Sequence, residues 1–158
     1  VHMMSRVKKG IIAGFVATVA VSVLELANLF LNHMFDPFPG IVAQLFGMPG
    51  NMAAGWALHL VIGTFVLGSL FGVAYPRLPT RTPITKGIAF AVGAWVGMML
   101  LITMVGDYRT FTGSSGFGTI GWLLALHMVF GAVLGNVYYR LVEREKRGAA
   151  PIGAAPAH

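Results

Sequence analysis

Cysteine is missing from this chain altogether. Its absence excludes disulfides, iron–sulfur clusters and thiolate-held metal ions. Charge is scarce too. Asp, Glu, Lys and Arg make up 10% of the 158 residues, where soluble domains carry about 25%. No Walker-type phosphate loop or dinucleotide fingerprint occurs. No basic run with interleaved aromatics occurs either, which argues against a nucleic-acid partner despite a net charge of +6.

Apolar residues fill the space left by charge. They make up 56% of the chain, and the mean hydropathy is +0.77. Four apolar runs stand out, each of roughly 20 residues, the length that crosses about 30 Å of hydrocarbon at 1.5 Å per residue. An integral membrane protein is expected, with the lipid bilayer as its main partner. Val1 to Met4 reads as a cloning remnant, so His2 is left out of the site. The first run lacks a small-residue cleavage pattern and reads as a retained span rather than a signal peptide.

The expected fold is all-α: an integral membrane four-helix bundle built from a duplicated two-helix hairpin. Residues 1–9 form a tag remnant and cytoplasmic N-terminus. Residues 10–75 form the first hairpin, with an outer loop at 36–51, and 76–86 a cytoplasmic linker. Residues 87–141 form the second hairpin, with an outer loop at 107–118. Residues 142–158 form a cytoplasmic tail whose end reads as disordered. Asn51 fits an N-cap for the second span, and Asp36 and Asp107 read as helix-end caps. Ten of the eleven basic residues fall on one side under this layout, and only Arg109 on the other. The positive-inside rule then places both termini in the cytoplasm, and an inner-membrane location is expected.

Duplication is suggested by recurring strings. Lys9-Gly10-Ile11 recurs as Lys86-Gly87-Ile88, and 57–63 matches 125–131 at five of seven positions. Each copy has two spans, so the halves are expected to be related by a pseudo-two-fold axis along the membrane normal. Each span carries a Gly-x-x-x-Gly pair, which suits close helix packing and offers faces for a homodimer or larger complex.

Ionisable groups inside a bilayer are costly and are functional candidates. Counted from the span ends, His59 lies about 10 Å deep, His127 about 12 Å and Glu25 about 12–13 Å. Thr18, Ser22, Glu25, Asn28 and Asn32 form one polar stripe on the first span. Paired histidines on separate helices fit a b-type heme held by two imidazoles, with an electron-transfer role. Gly63 and Gly131 would then give room for the macrocycle, Trp56 would share the face, and Glu25 would partner an imidazole N–H. The same His59, His127 and Glu25 could instead hold a transition metal ion, with His33 and Asp107 as weaker ligands. Met34, Met48, Met52, Met104 and Met128 lie toward that side, and thioethers favour copper(I). Alternatives without a cofactor are an accessory or assembly subunit, in which the histidines only fasten helices, and a small proton-coupled transporter. No enzyme class can be assigned.

Lys9 to Gly14, Pro49-Gly50-Asn51, Gly55-Trp56, His59, Gly63 and the later Leu126-His127, Gly131 and Gly135 resemble a family of small uncharacterised bacterial inner-membrane proteins. The resemblance covers about Arg6 to Leu141 and implies four spans. It implies no activity.

Overall fold

The computed structural model describes residues 3–32, 34–105 and 117–149. Helix α1 is Arg6–Ala27, and it runs on into a π-helical turn at Asn28–Asn32. Ser5 caps its start by accepting the Lys8 N–H at 3.1 Å. Pro37 interrupts the chain, and the short helix α2, Phe38–Leu45, follows with Pro39 in its first turn. Gly47 and Gly50 both have positive φ, which frees the turn back into the bundle. Helix α3 is Met52–Val61, capped as expected by Asn51, whose side chain accepts the Ala54 N–H at 3.0 Å. A π-helical turn at Ile62–Leu67 joins it to α4, Gly68–Ala74. Helix α5 is Pro83–Val105 and α6 is Phe117–Ala149. Pro83 opens α5, one turn earlier than Gly87, because proline needs no hydrogen bond there.

The described residues contain helices and no strands. Four stretches are long and apolar enough to cross a membrane: Arg6–Leu31, Met52–Arg77, Pro83–Val105 and Phe117–Ala149. Helix α1 is the centre of the bundle. It packs against α4 and its π-turn on one side and against α6 on the other, while α5 packs on α6 and α2 on α3.

Glycine sets these contacts. In lipid the hydrophobic effect does not drive helices together, so close backbone approach and its dispersion energy matter most. A Cβ on Gly10 would collide with the Gly68 carbonyl and the Gly72 nitrogen. A Cβ on Gly87 would collide with the Gly131 carbonyl and the Gly135 nitrogen. The same arrangement thus occurs twice, once between α1 and α4 and once between α5 and α6. Gly93 and Gly97 differ, because a Cβ at either would meet open space on the outer face of α5.

The basic end of the bundle is closed by aromatics. Phe71 lies 5.3 Å from Phe90 and 5.4 Å from Tyr138, and Tyr75 lies 4.5 Å from Tyr138. Lys86 donates to the Tyr75 and Leu78 carbonyls at 3.1 and 2.9 Å, capping the end of the second span. Lys9 and Glu145 form an ion pair at 2.7 Å, and Glu145 also accepts the Met4 N–H, so the start of α1 is tied to the end of α6.

Candidate functional site

Glu25 is completely buried. Three elements supply donors to it. Trp122 of α6 donates its indole N–H at 3.2 Å, Asn28 donates at 3.3 Å, and the Phe38 backbone N–H at the start of α2 also points to the carboxyl. Carboxyl oxygens accept such bonds, so the shell satisfies the buried group with the start of α2 beside it. Asn28 extends the network by bonding both the N–H and the carbonyl of Phe35, at 3.2 and 3.1 Å. Phe35 stacks on Trp122 with ring centroids 5.0 Å apart. The result is a fastening that holds the connection between the first two spans against α6. Sequence reasoning expected Glu25 to serve an imidazole; its hydrogen-bond partners are Trp122, Asn28 and Phe38 instead.

His59 sits beside this network. Its ring lies 4.4 Å from Phe38 and 5.9 Å from Trp56. Its Nε2 lies 3.0 Å from the Ser22 hydroxyl. That hydroxyl also lies 2.7 Å from the Thr18 carbonyl; with its one hydrogen given there, Nε2 donates toward Ser22. The imidazole also reaches the Thr18 carbonyl. In that arrangement the lone pair of neutral His59 is on Nδ1.

His127 has the opposite arrangement. Its Nδ1 lies 2.7 Å from the Leu123 carbonyl, which can only accept. Its lone pair is on Nε2. The two imidazoles are close enough to interact electrostatically, and neither lone pair has a partner among the described residues.

The route to this proximity differs from the sequence expectation. The string match aligns Gly63 with Gly131 and His59 with His127. The backbone contacts align Gly68 with Gly131 and Gly72 with Gly135, and Tyr75 touches Tyr138. His59 precedes Gly68 by nine residues and His127 precedes Gly131 by four. The two side chains therefore leave their helices roughly 7 Å apart in depth. His59 shares its level with Glu25 through Phe38, while His127 starts deeper.

The remaining expected residues fall elsewhere. Gly63 and Gly131 open no slot. A Cβ on Gly63 would collide with the Thr18 side chain, and one on Gly131 with the Gly87 backbone and, at 2.8 Å, with Ala91. The five methionines are 37% to 81% exposed and do not converge. The Asp36 N–H donates to the Thr119 hydroxyl at 3.3 Å and its carboxylate receives that hydroxyl at 3.5 Å, which ties the segment before α2 to the start of α6. His33 and Asp107 lie outside the described residues. Among the described residues no three His, Asp or Glu side chains gather in a metal-binding group. Trp122 was missed as a site residue, although the second Gly-Trp string marked its position.

These features define an all-helical protein with four membrane-length apolar helices and a polar layer between them. The chain belongs to a family of unknown function, DUF6789, whose model matches residues 4–148. No curated protein and no solved structure matches it.

Proposed function

We propose that the protein is a multi-pass inner-membrane protein that binds a transition metal ion between His59 and His127. The observation that carries this reading is the hydrogen bonding of one nitrogen of each ring, His59 Nε2 to Ser22 and His127 Nδ1 to the Leu123 carbonyl, which leaves Nδ1 of His59 and Nε2 of His127 as the available donors. An imidazole that donates one N–H to a carbonyl or hydroxyl and offers the other nitrogen is the usual form of a histidine ligand. Two nitrogen donors without a thiolate or third ligand suit copper(I), which accepts two-coordination, better than zinc, which takes four ligands. Copper would bring the one-electron couple that an electron-transfer role needs. Heme fits less well, since both glycine notches expected to seat it are filled by neighbouring helices.

The two hairpins are read as copies of one unit, with a pseudo-two-fold axis along the membrane normal. The doubled glycine contacts and the Tyr75–Tyr138 contact support this, with the copies in the glycine register and not the histidine register. Both termini are placed in the cytoplasm on the basic-residue asymmetry.

Metal analysis and optical spectra of the detergent-purified chain, expressed with added copper, zinc or heme precursor, test the site. The expected result is about one copper per chain, lost in His59→Ala and in His127→Ala while the helical circular dichroism is kept. Folded wild-type protein that stays metal-free under all three conditions would sink the proposal. The accessory-subunit reading would then stand. It has its own support in the bare Gly93–Gly97 face of α5, where a partner helix or a second copy could approach as closely as α4 approaches α1.

A further inference from the structure

Beyond the apolar part of α6, its C-terminal turns carry Arg140, Arg144 and Arg147 at i, i+4 and i+7, so all three project from one stripe. With Tyr139 and Glu143 they line an open surface groove of about 420 Å³. Glu143 is the one acid in the lining, and Lys146 already pairs with it at 3.1 Å. Arg140 is oriented by its Nε–H to the Asn136 side chain at 3.3 Å. Arg144 and Arg147 are exposed and make no ion pair among the described residues. The guanidinium stripe spans about 10 Å along the helix, comparable to the 5–8 Å or so of one headgroup layer. Tyr139 is 42% exposed at its membrane end, where aromatic rings favour the interface.

We propose that this stripe is a binding site for the phosphate headgroup of an anionic phospholipid. Three guanidiniums meet one already neutralised carboxylate, so the unbalanced charge is positive, and guanidinium matches phosphate by paired hydrogen bonds. The lipid's acyl chains continue down the apolar flank of α6 below the stripe, along half-buried Val133 and exposed Val129. A soluble anion has no use for that flank. This inference does not depend on the histidine site.

The full chain, purified in neutral detergent, would be titrated with phosphatidylglycerol, phosphatidylcholine or inorganic phosphate. Retained lipid would be read by native mass spectrometry, and protection by the melting temperature. Phosphatidylglycerol is expected to give retained adducts and a raised melting temperature, and the other two are not. R140Q/R144Q/R147Q should weaken retention at least about tenfold, given the worth of each juxtamembrane charge. R77Q/R81Q, at the end of the second span and in the linker that follows it, should leave it unchanged. Equal retention by the triple variant and wild type, equal loss in R77Q/R81Q, or equal protection by inorganic phosphate would each overturn the proposal. If the triple variant does not fold, R144Q alone serves, since Arg144 is exposed; unchanged retention in R144Q together with no preference for phosphatidylglycerol over phosphatidylcholine in the wild type would also overturn it.

Discussion

At the scale of single residues, Glu25 is where sequence and structure meet most usefully. A buried carboxyl in an apolar helix invites a catalytic or transport reading, yet its oxygens are taken up by Trp122, Asn28 and the start of α2. Removing it leaves several donors without an acceptor, which is costlier than losing a balanced bond. Glu25→Ala should destabilise the folded state by roughly 2–4 kcal/mol, measured by unfolding in mixed denaturing and neutral detergent. Glu25→Gln keeps one acceptor but sets an NH₂ against donors, so it should fall between the alanine variant and wild type. If Glu25→Ala unfolds with wild-type behaviour, the fastening role is wrong. The importance of Glu25 was legible in the sequence, since it is an acid in the middle of an apolar run. Its partner was not, because Trp122 lies 97 residues away and only the folded chain joins them.

At the scale of helices, the spans were legible and their register was not. Long apolar runs and the breakers at Pro37, Pro39, Pro49 and Pro76 report directly on helix extent, since each acts locally. Register depends on which glycines let two backbones touch, and the second span offers Gly63, Gly68 and Gly72 as competing choices. String identity picks Gly63 as the mate of Gly131; packing picks Gly68. Paired substitutions test this. Gly10→Val and Gly87→Val force a side chain into facing backbone and should cost more than about 3 kcal/mol. Gly93→Val points into open space and should change stability by less than about 0.5 kcal/mol in the isolated chain. A large loss at Gly93 would mean that α5 is covered by another copy even in detergent.

At the scale of the molecule, the absence of cysteine is an experimental opening. Single cysteines can be introduced without background, so membrane topology can be read by labelling intact cells with an impermeant thiol reagent. A cysteine at Arg81 should stay unlabelled until the membrane is broken, and one at Gly50 should label in whole cells. The reverse pattern would invert the orientation inferred from the basic residues. The bundle is held at two levels, by the Glu25 network at one end and by the aromatic cluster with the Lys9–Glu145 pair at the other. Between them glycine–backbone contacts combine with buried Ala17, Val21, Leu126, Phe130 and Leu134, so a change there should act on the whole assembly of spans.

The π-turn at Ile62–Leu67 has a consequence of its own. A π-turn is in effect one residue inserted into an α-helix, and one residue is worth about 100° of rotation in a helix of 3.6 residues per turn. The turn absorbs that residue, so the glycine face of α4 and the imidazole of His59 keep their relative aim although the span carries one residue more. Deleting Val66, an outward-facing residue of that turn, should let the span relax to a continuous α-helix and leave His59 beside Ser22. Deleting the exposed Phe65 as well, with Gly68 and Gly72 still locked to α1, would swing everything before the turn by about 100° and carry His59 away from Ser22. Both deletions should leave helix content nearly intact, but only the double deletion should abolish ligand binding that needs His59. Span length, with no substitution of a polar group, would thus act as a rotary switch on the site.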